Sequence, residues 1–387
     1  INQTEIDHLF FALNNLEKED QIAIRQSKYY VPRLTYLEVN SSNKPLNLNS
    51  KGSYLITGGL GALGLKLTEN LIQQGAKSLV LLSRRQLTPE LEEKISQLAS
   101  KGAKISVFSA DVSDLAQIKQ VFQTIKHTLP PLKGVIQAAG IIDDGFLAQQ
   151  TAEKFARVMK PKVLGTWNLH ACTQDLDLDF FICFSSLASL LGSPGQSNYA
   201  AANAFLDAIA HYRQSLGLPA TSINWGPWAG EGMAQTINFQ SQGIELIPVQ
   251  AGMEIWQRLM NANLAQIGVA QINWQKLARY NPALPKLPFF SQLFPESTLK
   301  LETSASSNSA IYQRLLRLSE KEKQAYLSEY LRNISANILQ ADSSSISPHD
   351  NLLDLGMDSL MVMEAINQLK TDLELMLYPR EIYERPR

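Results

Sequence analysis

Residues 54–76 read YLITGGLGALGLKLTENLIQQGA: an apolar run, a turn built on glycine, and an amphipathic stretch at helical spacing. Strand, tight turn and helix in that order aim backbone N–H groups and the positive end of a helix at one point, which suits a pyrophosphate. Gly58, Gly61 and Gly64 recur at every third residue. Without a Cβ, each lets the backbone approach a phosphate or lets the helix pack closely on the strand. Thr57, Gly58, Gly59, Gly61 and Leu63 are therefore candidate nucleotide contacts. A glycine turn alone is a weak signal; the strand before it, the helix after it and a second strand at the expected distance make it specific.

From Tyr54 onward the alternation repeats. Apolar segments at 54–59, 78–84, 104–111, 134–140, 180–186, 220–226 and 266–274 are separated mostly by amphipathic stretches. This predicts an α/β domain, a Rossmann-type doubly wound parallel sheet with helices on both faces. Upstream, residues 21–40 alternate apolar and polar side chains around Gln26-Ser27, which predicts a β-hairpin, and the polar stretch 41–53 reads as a connector. Downstream, STLKLETSASSNSA at 297–310 has the composition of a linker. Leu315, Leu318, Tyr326, Tyr330, Ile334 and Ile338 then predict one long helix over 311–340, and a loop leads to a second helix starting near Asp358-Ser359. The expected organisation is a partial β-subdomain at 1–50, a nucleotide-binding domain at 51–296, a linker at 297–310 and a small helical bundle at 311–387.

Composition narrows the function by exclusion. Hydrophobic residues are 45%, charged residues 18%, and the formal net charge is −1, so neither nucleic acid nor a membrane surface is implied as partner. No apolar run reaches the ~20 residues needed to span a bilayer, and the first residues lack the features of a signal peptide, so the cytoplasm is the expected compartment. Cys172 and Cys183 are the two cysteines, and the five histidines are scattered, which argues against a metal site or a disulfide framework.

The second strand ends in LLSRR. A free ribose 2′-hydroxyl calls for an acidic residue there, whereas Ser83, Arg84 and Arg85 offer donors and positive charge to a 2′-phosphate, so NADPH is expected rather than NADH. Arg85 fits a solvated rim equally well. Asp111 and Val112 follow the third strand and are expected near the adenine; helix N-capping is the alternative for Asp111, and Ser113 or Asp114 could also supply it. Ala138, Ala139 and Gly140 after the fourth strand are small enough for a nicotinamide ribose to lie against them.

FSSLASLLGSPGQSNYAAANAF, residues 184–205, resembles the catalytic stretch of a short-chain dehydrogenase/reductase, in which a serine lies thirteen residues ahead of a tyrosine. Reduction of a ketone needs a proton on oxygen from a positioned acid, together with a second hydrogen-bond donor, and Tyr199 and Ser186 are residues of those types. A free tyrosine titrates near ~10, so a neighbouring cation must stabilise its anion. Asn203, one helical turn after Tyr199, is uncharged. Lys160 and Lys162 lie upstream on a predicted helix, which in the resembled superfamily contributes an asparagine that holds a proton-relay water; a lysine reaching the tyrosine from there implies that lysine and asparagine have exchanged places, with charge and relay preserved.

With that exchange the sequence resembles the ketoreductase domains of modular type I polyketide synthases, within the short-chain dehydrogenase/reductase superfamily. YLITGGLGALG, QAAGIIDDGFL, KPKVLGTWNLH, FSSLASLLGSPGQSNYAAANAFLDA and INWGPWAGEGMA carry the resemblance, over roughly 20–295. It implies a catalytic tetrad of Lys162, Ser186, Tyr199 and Asn203, leaving Lys160 as a surface charge; the thirteen-residue spacing to Tyr199 favours Ser186 over Ser185. It also implies a lid beginning at Pro227 and Trp228, in a glycine-containing stretch for which an ordinary loop with Trp228 packed is the lesser alternative. IIDDGF resembles the family's Leu-Asp-Asp signature with Ile142 in place of Leu, and Leu191 stands where the opposite stereochemical class has tryptophan. Both imply a B-type reductase giving a D-configured 3-hydroxyl, with Asp144 steering substrate entry, unless Asp144 is simply an acidic loop residue.

LLDLGMDSLMVMEAI resembles the attachment site of an acyl carrier protein, which implies a 4′-phosphopantetheine arm on Ser359, although a serine at a helix start is often only a cap. The arm would hold the 3-ketoacyl chain as a thioester. The resemblance implies two further things: the carrier stops before its last helix, and residues 1–50 match only the final strands of the family's structural subdomain, so the chain is expected to be a piece of a larger synthase with flanking domains as partners. Two other functions fit parts of this pattern: a non-catalytic reductase-like scaffold that positions the carrier, and a short-chain reductase of a free small-molecule ketone.

Overall fold

The computed structural model describes residues 3–15, 19–38, 48–145, 147–230, 239–240, 242–260, 262, 264–281, 283–294, 310–339, 341–357, 359–373, 382 and 386. The chain divides into two compact units, Val39–Ile272 and a second made of Ile1–Glu38 with Asn273–Arg387. The N-terminal segment opens with helix α1 (Gln3–Asn15), which no periodicity in the sequence announces, followed by the antiparallel hairpin β1 (Ala23–Arg25) and β2 (Lys28–Tyr30). The hairpin turns at Gln26 and Ser27, both at positive φ (48° and 60°), the backbone that a two-residue turn between right-twisted strands demands.

The unit Val39–Ile272 is built on seven parallel strands. In chain order its elements are β3 (Ser53–Thr57), α2 (Ala62–Gln73), β4 (Ser78–Ser83), α3 (Pro89–Ala99), β5 (Lys104–Ser109), α4 (Leu115–Thr128) and β6 (Leu132–Gln137). There follow α5 (Ala152–Thr173), β7 (Phe180–Ser186), the short α6 (Ala188–Leu191), α7 (Ser197–Ser215), β8 (Thr221–Trp225), β9 (Ile244–Glu245), α8 (Val249–Leu259), β10 (Gln266–Val269) and β11 (Gln271–Ile272). The sheet order is β10-β8-β7-β6-β3-β4-β5, and β9 pairs with β11 outside it. Each interior strand buries both faces, which explains its unbroken apolar sequence. On β3, Tyr54 and Ile56 join the helices α2, α3 and α8, whereas Leu55 joins α4, α5 and α7. On β7, Phe180, Ile182 and Phe184 face the first side and Phe181 and Cys183 the second.

Sheet order reverses between β3 and β6. The chain runs from β3 outward through β4 and β5, then returns to β6 and runs the other way, which opens a crevice above the carboxyl ends of these two strands. The turns after β3 and β6, and the end of β7 beside them, carry the candidate residues.

The second unit continues with α9 (Trp274–Tyr280), α10 (Ala310–Leu316), α11 (Glu320–Leu339) and α12 (Ser359–Leu373). The expected single helix over 311–340 is in fact two. Ser319 breaks it: its backbone N–H and its hydroxyl both donate to the Glu322 carboxylate, half of a capping box that starts α11 afresh. The expected linker 297–310 lies outside the described residues except for Ala310. Ile334, Ala365, Leu369 and Leu373 form a small core, and Met357, Val362 and Ile366 a second. Ser359 is the first residue of α12 as the spacing predicts, while Asp358 and the Ser359 side chain lie outside the described residues.

Candidate active site

The turn after β3 is shaped by close approach. Gly58 has φ of +67°, and its carbonyl accepts from the Gly61 N–H at 2.9 Å. A Cβ on Gly64 would lie 2.5 Å from that same carbonyl oxygen, so α2 could not seat on the turn with any larger residue. Gly61 caps α2 without a side-chain hydrogen bond, which leaves the first N–H groups of the helix pointing above the turn. The Thr57 hydroxyl accepts from the Ala138 and Ala139 N–H groups, both at 3.2 Å, and donates to the Gln137 carbonyl oxygen. The two turns flanking the crevice are thereby locked together, and the cradle fits a dinucleotide.

At the rim, Ser83 closes β4 and its Oγ accepts from the Arg85 N–H at 3.1 Å. The exposed Arg84 guanidinium lies 3.8 Å from Asp111. Asp111 also accepts from the Ser113 N–H and hydroxyl, at 2.9 and 2.8 Å, but the cap of α4 is Asp114, which accepts from Ala116 and Gln117. Val112 is buried against α5, where a Cβ on Gly165 would come within 2.6 Å of it. Arg85 is exposed.

Three elements bring the predicted tetrad together. α5 supplies Lys162, β7 ends in Ser186, and α7 presents Tyr199 and Asn203 one turn apart. Lys162 is buried, 3% exposed, with its ammonium 5.6 Å from the centre of the Tyr199 ring and donating to the Phe184 carbonyl at 3.0 Å. Burial brings its pKa down to about 8, against the opposing pull of Cys183 and Asp207. Lys160, two residues away, is exposed. Ser185 points elsewhere: its hydroxyl donates to the Asn203 carbonyl at 3.2 Å and accepts from Asn224 at 3.1 Å.

Tyr199 departs from the depressed pKa expected beside a cation. Burial raises it; hydrogen bonding with Asn203 and Ser186 pulls the other way, and the Asp144 carboxylate adds to the rise. Asn203 is fully buried, its amide donating to the Tyr199 backbone carbonyl at 2.8 Å. Its Oδ1 has no hydrogen-bond partner among the described residues, a buried acceptor of the kind an ordered water satisfies.

The sequence offered no signal for the residues that tie this site down. Gln137, fully buried, donates to the Pro161 carbonyl at 2.7 Å, fixing the residue before Lys162 to the end of β6. Gln196 donates to both Asp144 oxygens, at 3.2 and 3.0 Å, and burial raises the Asp144 pKa. Asn198 donates to the Asp143 carbonyl at 2.8 Å, and Asp143 pairs with Lys154 and Arg157. Leu191 ends α6 half-buried. Trp228 packs 4.7 Å from Trp225, and its ring fills the space over Gly252, where a Cβ would meet it at 2.3 Å. Pro227 accepts from the Ile247 N–H at 2.7 Å. The remainder of the predicted lid, 231–238, lies outside the described residues.

Among the described residues no cluster of His, Cys, Asp and Glu could hold a metal ion, and no helix is long and apolar enough to cross a membrane.

Residues 52–230 match the KR domain family, and residues 329–387 match the phosphopantetheine attachment site family. The chain is 35% identical over 351 residues to the mycoketide-CoA synthase of Mycobacterium tuberculosis, covering 87% of this chain but 8% of that protein. The chain thus spans less than a tenth of that relative. Among solved structures, a ketoreductase from the first module of phoslactomycin biosynthesis in Streptomyces is 30% identical, with a TM-score of 0.68 over 75% of this chain and 68% of that one. A-type ketoreductases from a modular polyketide synthase match at 31% identity and a TM-score of 0.69, over 76% of this chain and 62% of that one.

Proposed function

The chain belongs to the polyketide synthase ketoreductases, with a phosphopantetheine attachment domain in the same chain, and from that premise we propose that it reduces a carrier-bound 3-ketoacyl thioester with NADPH. The observation that carries this reading is the convergence of Lys162, Ser186, Tyr199 and Asn203 beside the Ala138–Gly140 turn of the nucleotide crevice.

NADPH supplies the hydride to the 3-carbon when bound. Thr57 to Leu63 and the start of α2 hold its pyrophosphate, Ser83 and Arg84 its 2′-phosphate with Arg85 at the rim, Asp111 and Val112 border the adenine, and Ala138 to Gly140 the nicotinamide ribose. Pro227 and Trp228, fixed by Ile247 and by packing on Trp225 and Gly252, stand where the family's lid begins. Burial keeps Tyr199 protonated, the form that can donate. Ser186 holds the substrate oxygen, and Tyr199 delivers the proton to it. The Lys162 ammonium then stabilises the tyrosinate left behind, which lowers the cost of the transfer rather than the resting pKa. The open Oδ1 of Asn203 orders the water that returns the proton.

Asp144, held by Gln196, steers entry of the acyl chain, and Leu191 leaves room where a tryptophan would close the opposite approach; the product is the D-alcohol of a B-type reductase. Ser359 carries the phosphopantetheine arm that presents the substrate. The test is NADPH oxidation with a 3-ketoacyl N-acetylcysteamine thioester, with the product enantiomer resolved. Turnover to the D-alcohol, lost in Tyr199→Phe and in Lys162→Ala, is the expected outcome. A parent that binds NADPH without turning it over would favour a scaffold that only positions the carrier.

A further inference from the structure

A second buried polar cluster stands behind Ser186. Asp207 lies on α7 one turn beyond Asn203 and is 7% exposed. One carboxylate oxygen accepts from the Ser189 hydroxyl at 2.7 Å and the Asn224 amide at 2.8 Å, and the other accepts from the Ser222 hydroxyl at 2.6 Å. The Asn224 amide also reaches the Ser186 carbonyl at 3.3 Å, and the Ser189 hydroxyl lies 2.9 Å from that same carbonyl. Asn224 Oδ1 in turn accepts from Gln266 at 3.2 Å, whose own oxygen faces His211. Helices α6 and α7 and strand β8 therefore meet on one carboxylate, and β10 joins them through Asn224.

Among the described residues no lysine or arginine is within ion-pair distance of Asp207, so only neutral donors offset its burial. Burying a carboxylate without a cation beside it is unfavourable, so such a group next to a reactive centre is a functional candidate. Lys162 is the matching case: buried, cationic and bonded to a neutral carbonyl. The end of β7, Phe184 to Ser186, is bracketed by Lys162 from α5 and Asp207 from α7. The groups acting on Lys162 are Cys183 from β7 and Asp207 and Tyr199 from α7. Burial pushes the Cys183 thiol up to about 12, so it stays neutral where Lys162 titrates, and Asp207 is the other acidic group acting on that ammonium.

We propose that Asp207 is a positioning residue of the reducing centre: it holds the Ser186 turn through Ser189 and Asn224, and its charge keeps Lys162 protonated beside Tyr199. The catalytic half of this rests on the tetrad reading above; the electrostatic half does not.

The test is an NMR titration of the full chain labelled with [ε-13C]lysine, the buried resonance identified by its loss in Lys162→Arg. In Asp207→Asn, which keeps the shape and removes the charge, the Lys162 midpoint falls by about half to one pH unit. Asp207→Ser gives the same comparison should the asparagine variant not fold. In Ser189→Ala, which removes a hydrogen bond without altering charge, the midpoint stays. NADPH oxidation followed across pH in parallel moves its alkaline limb downward in Asp207→Asn, whereas Ser189→Ala lowers kcat at an unmoved limb. Equal Lys162 midpoints in the parent and both neutral Asp207 variants would overturn the proposal. A parent that never oxidises NADPH, with the midpoint still displaced, would instead overturn the tetrad reading and leave the coupling standing.

Discussion

Lys162 is an expensive residue where it stands. Its folded pKa of about 8 lies below the 10.5 of an exposed lysine, so between those values the unfolded chain binds more protons than the folded one, and stability rises with pH through that window. Below about 8 the whole penalty is present, on the order of 3 kcal/mol at 1.36 kcal/mol per unit. Lys162→Met should therefore abolish turnover while raising the unfolding free energy at pH 7 by about 1 kcal/mol or more, after the lost bond to Phe184 is counted. Denaturant melts at pH 7 and pH 10.5 check this, and the gain should vanish at the higher pH. At the other end of the crevice, Arg84→Glu removes the exposed guanidinium from beside β4. It should weaken NADPH at least about tenfold relative to NADH, read as the ratio of kcat/KM for the two cofactors.

Elements succeed or fail here through contacts of one or two atoms. Gly64→Ala would place a Cβ 2.5 Å from the Gly58 carbonyl, forcing α2 off the turn proposed to receive the pyrophosphate. Fluorescence titration should show NADPH affinity falling by about tenfold or more, while circular dichroism shows the sheet intact. The break between α10 and α11 rests on Ser319 and Glu322; Ser319→Ala should cost about 1 kcal/mol of carrier stability and leave NADPH oxidation of a free thioester unchanged. The capping box is written in SEKE at 319–322, but apolar residues at helical spacing continue on both sides and mask it as one helix. Helix α1 is hidden for a related reason: Ile6, Leu9, Phe10, Phe11 and Leu13 are all exposed in the structure, so no one-sided stripe marks it.

The whole chain joins a reductase to a carrier, and the two functions should separate cleanly by mutation. Ser359→Ala should eliminate the mass increment produced by a phosphopantetheinyl transferase while leaving reduction of the N-acetylcysteamine thioester intact. Tyr199→Phe should do the reverse, and intact-protein mass spectrometry with NADPH absorbance reads both. The Rossmann-type sheet and the start of the carrier's last described helix were legible in sequence because they depend on periodicity, glycine spacing and a helix start, all of which act within a few residues of chain. The four residues proposed as the tetrad were singled out through the family resemblance, and the structure brings them side by side. What the sequence by itself could not decide was how those residues are held and charged. Gln137 under Pro161, Gln196 on Asp144, Asp207 behind Ser186, and the rise rather than fall of the Tyr199 pKa all arise between residues far apart in the chain. Burial and hydrogen bonding across β6, β7 and α7 set them, because desolvation depends on which atoms surround a group in space and on nothing that its neighbours in sequence specify.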